Sequence, residues 1–133
     1  MRIRFPLLPR WLRWAGVLAV AGTIVYLSLI TVPPKPAEPG PLWDKKMHFL
    51  AYGALGLSLL YATARFRDYP LRRAIIVVLA VGAFGALIEI LQGRLPYRYM
   101  SLWDGVANLL GGLLALVWLA VERHLRYRRV PAS

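Results

Sequence analysis

The chain has 133 residues, of which 59% are hydrophobic and 17% charged, a composition typical of an integral membrane protein. It contains no cysteine, which excludes disulfide bonds and thiolate chemistry. The net charge of +11 does not indicate nucleic-acid binding, because most of the Lys and Arg residues lie in short loops and tails, where they set membrane topology. The length predicts a single domain over residues 1–133.

Four apolar segments are long enough to cross a bilayer at about 1.5 Å of helix per residue. They cover residues 14–32, 47–64, 74–92 and 102–121. The first segment follows several arginines, as a signal peptide would. However, Pro33 and Pro34 stand where a small-residue cleavage site would be, so we predict a retained anchor. The sequence therefore predicts an all-α protein, a compact bundle of four transmembrane helices.

The distribution of Lys and Arg predicts the orientation of this bundle. Twelve of them lie in the two tails and in the loop between the second and third segments, and five lie in the other two loops. The positive-inside rule then predicts that both termini are cytoplasmic and that loops 33–46 and 93–101 face outward. Among the inner arginines, we expect the acidic side chains of Asp68 and Glu122 to be solvated.

Polar side chains gather at the predicted outer ends of helices two, three and four. Their spacing of three or four residues puts each set on one helix face: Asp44, His48 and Tyr52; Glu89 and Gln92; Asp104 and Asn108. The same faces carry glycine and alanine, which let membrane helices approach closely. We therefore predict an outward-facing polar pocket that binds a ligand through Asp44, Lys45, His48, Tyr52, Glu89, Gln92, Arg98, Ser101, Asp104 and Asn108.

Two blocks of residues carry a family resemblance. They are Asp44, Lys45, His48, Tyr52, Leu55 and Gly56, and then Glu89, Gln92, Pro96, Arg98, Ser101, Asp104, Asn108 and Gly111. In this order and spacing they resemble the VanZ-like family of small bacterial membrane proteins, over about residues 43–116. Ala115 stands where the family pattern has a glycine. The resemblance implies a multi-pass domain in the bacterial cytoplasmic membrane, with a link to glycopeptide (teicoplanin) resistance and no settled biochemical activity.

The predicted pocket allows three functions. The first is binding of a lipid-linked or phosphate-bearing head group, with Arg94 or Arg98 as the anion-binding guanidinium. The second is a membrane hydrolase or transferase in which His48 works with Glu89 or Asp104 as acid and base. The third is purely structural: the polar side chains bond the helices to one another, and the glycine faces bind another membrane protein.

Further expectations concern individual residues. Glu89 could pair with Arg94 or Arg98, or stay protonated in a dry site. Ser101 is expected to cap the fourth helix three residues before Asp104. The two carboxylates could form a pair for a divalent cation, but no spacing here matches a recognised metal motif. We therefore predict no metal and no cofactor. The expected partners are membrane lipids, a lipid-linked cell-envelope precursor or another membrane protein.

Overall fold

The computed structural model describes residues 2–98 and 101–132, and these are mostly helical. The elements in chain order are β1 (Ile3–Leu7), α1 (Arg10–Val25) with a π-helical extension (Tyr26–Ile30), α2 (Trp43–Ala62) with a 3-10 turn after it (Ala64–Phe66), α3 (Pro70–Gln92), α4 (Leu102–Ala115), α5 (Val117–Glu122) and β2 (Leu125–Arg129).

Three helical stretches are long and apolar enough to cross a membrane: Arg10–Ile30, Pro70–Gln92 and Leu102–Glu122. The last of these comprises α4 and α5, which are separated by a break at Leu116. α2 has a similar length, but its first turn is charged and it is not among the three. Length and composition therefore support three of the four predicted membrane spans.

The first three helices begin four residues earlier than predicted, at residues 10, 43 and 70 rather than 14, 47 and 74. The prediction followed the apolar runs, whereas these first turns carry polar or charged residues. A helix does not need apolar residues in its first turn, and Pro70 is well suited to that position because its N–H would have no partner there.

The strands β1 and β2 pair in parallel, from Ile3 opposite Leu125 to Leu7 opposite Arg129. The all-α prediction missed them, because short arginine-rich segments at both ends of the chain resemble charged tails. In β2 the side chains alternate between the core and solvent, with Leu125 buried and Arg126 exposed. The pairing brings both ends of the described chain to one end of the bundle, hereafter the strand end.

α2 packs most extensively against α4, and glycine residues form this contact. A Cβ added to Gly111 would collide with the backbone carbonyl of Phe49, and a Cβ on Gly56 would lie 2.7 Å from the Cβ of Ala115. The small residues of these two helices are thus used inside the chain, as close helix packing requires. A partner protein would have to bind elsewhere than at these glycines.

A buried ion pair joins α3 to α5 at the strand end. Arg73 donates hydrogen bonds to both carboxylate oxygens of Glu122, to the hydroxyl of Thr63 and to the carbonyl of Leu60, and Tyr127 of β2 donates to the same carboxylate. Arg73 is 4% exposed and Glu122 5%. The expectation that Glu122 is solvated is therefore wrong, whereas Asp68 is exposed as expected.

Arg13 is the second buried arginine at this end. Its guanidinium donates to the carbonyl oxygens of Tyr61 and Ala62, at 3.1 and 2.8 Å, and to that of Leu8. The last carbonyls of a helix lack intrahelical donors and carry partial negative charge, so a cation stabilises them. Arg13 therefore caps the C-terminus of α2 and joins it to α1, in addition to any effect on topology.

Candidate functional site

Side chains from three helices meet at the end of the bundle opposite the strands. α2 contributes Lys45 and His48 near its start, α3 contributes Glu89 near its end, and α4 contributes Asp104 and Asn108 near its start. We call these five residues the polar cluster. Glu89, Asp104 and Asn108 are buried, and the other two are partly exposed.

His48 is the centre of the polar cluster. Its Nδ1 lies 2.9 Å from Oδ1 of Asn108 and 3.8 Å from Oε1 of Glu89, and its Nε2 lies 3.7 Å from Oδ2 of Asp104. The amide oxygen of Asn108 can only accept a hydrogen bond, so it favours a proton on Nδ1. In the neutral ring, Nε2 then carries the lone pair on the side of Asp104.

Each carboxylate has one oxygen bound by a protein donor and the other near His48. Lys45 forms an ion pair with Oδ1 of Asp104, and the backbone N–H of Ser101 donates to Oε2 of Glu89 at 3.3 Å. Oε1 of Glu89 is buried and has no hydrogen-bond partner among the described residues. Ser101 occupies the predicted N-cap position, but its side chain makes no capping hydrogen bond.

Tyr52 and Gly85 lie beneath the polar cluster. The Tyr52 ring is nearly parallel to the His48 ring, with centroids 6.4 Å apart, and is 1% exposed. A Cβ on Gly85 would lie 3.0 Å from the Tyr52 ring and 3.1 Å from Nδ2 of Asn108. The absence of a side chain at this position of α3 therefore lets that helix approach closely enough to present Glu89 to His48.

Five of the ten predicted ligand residues lie outside the polar cluster. Two of them border it, Tyr52 and Ser101, and the other three, Asp44, Gln92 and Arg98, bind other groups. Asp44 is exposed and pairs with Lys35 at 3.4 Å. Side chains in the last turn of α3 and just after it donate to carbonyls at the end of the π-helical extension of α1: Gln92 to Ser28, Tyr97 to Leu29, and Arg98 to Leu27 and Thr31. Arg98 therefore does not pair with Glu89, which was one of the alternatives for this carboxylate. The Arg98 guanidinium caps a helix instead of pointing to an anion site.

The polar cluster is a packed group of side chains. It reaches the protein surface at Lys45 and His48, whose side chains are 36% and 17% exposed. An apolar cavity of about 460 Å³ lies at the strand end instead, between β1, α2 and α5. It is lined by Phe5, Leu8, Leu57, Tyr61 and Trp118. For the polar cluster, the spacing of polar residues indicated which helix faces converge, but it could not show how tightly their side chains pack.

His48, Glu89 and Asp104 each offer one atom suited to metal binding, and these atoms lie within 4.8 Å of one another. Nitrogen and carboxylate oxygen are ligands for divalent cations and also acid–base groups. The three residues form no recognised metal motif in the sequence, because each one comes from a different helix. Only the packing of these helices brings the three side chains together.

Comparison with known proteins identifies one relative, an uncharacterized protein of the fission yeast Schizosaccharomyces pombe. It is 36% identical over 115 residues, which are 84% of this chain and 68% of that protein. The chain belongs to the family of this fission yeast protein. No family model and no solved structure matches the chain.

The assignment to the bacterial VanZ-like family is therefore wrong. The relative is eukaryotic and no family model matches, so the expected link to antibiotic resistance and a bacterial cytoplasmic membrane has no support. The spacings that carried the resemblance have a simpler origin. Polar and small residues recur every three or four positions wherever helices pack closely around a polar group.

Proposed function

We propose that this is an integral membrane protein whose polar cluster binds the phosphate-bearing head group of a membrane lipid. The observation that carries the proposal is the convergence of Lys45, His48, Glu89, Asp104 and Asn108 at one end of a bundle whose outer surface is apolar. Large side chains such as Leu18 and Leu79 are 72% and 66% exposed along the helices, as expected for contact with lipid tails.

In this proposal α1, α2, α3 and the α4–α5 stretch all cross the bilayer. α2 is the least apolar, but its glycines contact α4 at Gly53 with Gly111 and again at Gly56 with Ala115. Because α2 packs along α4 at two successive positions, the two helices cross the bilayer together. The excess of Lys and Arg at the strand end supports a cytoplasmic location for that end, with the polar cluster among the head groups of the opposite leaflet.

The charges of the polar cluster define what it can hold. Lys45 is its most exposed cation and lies beside His48, so a phosphate would bind on this side. The two carboxylates would repel the same phosphate unless a cation lies between them. Arg98, which binds carbonyls of α1, does not supply that charge.

The test is retention of phospholipid by the full chain purified in a non-ionic detergent. Bound lipids would be quantified by mass spectrometry for the wild type, for Lys45→Gln and for the matched control Lys46→Gln, which replaces the exposed neighbouring lysine. We expect Lys45→Gln to retain about tenfold less phospholipid, equivalent to about 1.4 kcal/mol, and the control to retain the wild-type amount. Equal retention by all three proteins would contradict the proposal.

A second candidate function is lipid hydrolysis or group transfer. The observation that favours it is that His48 is held by Asn108 and lies within 3.8 Å of both Glu89 and Asp104, an arrangement suited to acid–base catalysis. The same lipid preparations decide it. Under this function the wild type releases product on incubation, whereas His48→Ala retains intact lipid and releases none.

A further inference from the structure

We propose that His48, Glu89 and Asp104 form a binding site for a divalent transition-metal cation such as Zn²⁺ or Mn²⁺. The inference deepens the proposed head-group function, on which it rests, because a cation at this position would supply the positive charge that a phosphate needs beside two carboxylates. It assigns a bound ion to three buried or half-buried side chains for which the sequence analysis predicted no metal.

The distances between the three side chains fit such an ion after a small adjustment. Three atoms within 4.8 Å of one another all lie at most about 2.8 Å from a common point, compared with about 2.0–2.2 Å for bonds from zinc to nitrogen or oxygen. Each side chain therefore needs to move by less than about 1 Å to reach bonding distance. One imidazole and two carboxylates leave further positions open for water or phosphate oxygen.

The groups around the three ligands are arranged as outer partners of a metal site are. Asn108 Oδ1 accepts a hydrogen bond from Nδ1–H of His48 at 2.9 Å, which leaves Nε2, 3.7 Å from Oδ2 of Asp104, free to coordinate. The Ser101 N–H donates to one oxygen of Glu89 and orients it. Such outer hydrogen bonds orient metal ligands and fix the histidine tautomer. Lys45, paired with one oxygen of Asp104, instead competes with a cation for that charge.

A buried oxygen without a partner points to a ligand at this position. Glu89 is 6% exposed, and its Oε1 faces His48 without a hydrogen bond from any described residue. The single proton on Nδ1 of His48 is directed to Asn108, at 2.9 Å, rather than to Glu89, at 3.8 Å. A buried carboxylate oxygen that lacks a compensating donor is costly, and a bound cation removes that cost.

The experiment measures metal binding by the full chain in detergent, after chelator treatment and removal of the chelator. The protein would be dialysed against Zn²⁺, Mn²⁺ or Mg²⁺ and its bound metal determined by mass spectrometry. We expect about one Zn²⁺ or Mn²⁺ per chain, with affinity well above that for Mg²⁺, because imidazole favours transition metals. Cobalt(II) would report nitrogen and oxygen coordination through its visible absorption.

Three variants and one control test the assignment of the ligands. Glu89→Gln and Asp104→Asn preserve shape and should each weaken binding at least about 100-fold, while Asp44→Asn, which changes an exposed acid one turn before His48, should leave it unchanged. Circular dichroism would confirm that each variant is folded. Lys45→Gln should tighten binding several-fold, because Lys45 competes with the cation for Asp104.

The last variant keeps the test decisive even if the others fold poorly, because a purely structural cluster gives no reason for Lys45→Gln to gain affinity. The proposal is overturned if the wild type binds no stoichiometric metal, if Glu89→Gln binds as the wild type does, or if Lys45→Gln loses affinity. Phospholipid retained by a protein that binds no cation would refute the metal site and leave the head-group function intact. Metal bound by a protein that retains no phospholipid would refute the head-group function and leave the metal site intact.

Discussion

Replacing Glu122 with Gln removes the negative charge from the buried ion pair at the strand end while preserving side-chain volume. The Arg73 guanidinium, 4% exposed, then remains charged in a site that excludes water. It keeps the Thr63 hydroxyl and the Leu60 carbonyl as acceptors, and the amide oxygen of Gln replaces only one of the two carboxylate oxygens.

The expected loss of free energy of unfolding follows from these contacts. Removal of one member of a buried ion pair typically costs about 3–5 kcal/mol, chiefly because the remaining charge is uncompensated. Arg73 keeps two neutral acceptors and can also donate to the new amide oxygen. We therefore expect the lower end of this range, about 3 kcal/mol. Tyr127 also loses a charged acceptor, which keeps the cost from falling further.

The assay is denaturant unfolding of the purified protein in detergent micelles, followed by circular dichroism. Asp68→Asn is the matched control, because Asp68 is exposed at the same end, and we expect it to change the free energy of unfolding by less than about 0.5 kcal/mol. The double substitution Arg73→Met with Glu122→Leu removes both charges. It should be more stable than Glu122→Gln, because apolar pairs often replace buried ion pairs without loss.

Two results would refute this reasoning. One is a Glu122→Gln protein within about 0.5 kcal/mol of the wild type, which would mean that water or another group compensates Arg73. The other is a double variant no more stable than the single one, which would mean that the carboxylate acts through Tyr127 or β2 rather than through Arg73.

Two further substitutions test other parts of the fold. Gly56→Val should lower the free energy of unfolding by about 1–3 kcal/mol, because its side chain meets Ala115, whereas Gly22→Val has open space around it; equal effects in thermal unfolding would contradict the packing. Burial, and then the hydrogen bond to Glu122, raise the pKa of Tyr127 above its ordinary value of 10.0. Stability from protonated Tyr127 is therefore present below pH 10.0 and lost as the pH rises through the higher folded-state pKa, so alkaline unfolding should be steeper in the wild type than in Tyr127→Phe.

The helices were predictable because each is built on an apolar run, and the sides on which they meet were predictable from spacing. His48, Asp104 and Asn108 share faces with the small residues that pack, so they converge once the helices do. Which carboxylate oxygen faces which His48 nitrogen depends on the side-chain conformations in the packed protein, and these cannot be predicted from residue spacing. The distances between the three possible metal ligands depend on the same side-chain conformations, so the sequence could not predict them.

The arginines illustrate the same limit. Arg13, Arg73 and Arg98 all fit the pattern of topology-setting or anion-binding charges, yet each one donates to backbone carbonyls, and two cap the ends of helices. Unpaired carbonyls exist at the end of every helix, so sequence cannot tell which arginine reaches them. The burial of Glu122 is not predictable for a related reason, since its partner Arg73 lies on another helix.

The pairing of β1 with β2 has a consequence for biosynthesis. Among the described elements, β1 precedes every helix and its strand partner β2 follows every helix, so translation of Leu125–Arg129 must be complete before this sheet can form. Until then β1 presents unpaired backbone groups to any other strand in reach. A ribosome that stalls before Leu125 would leave the helices complete but the edge of β1 open to pairing with strands of other chains.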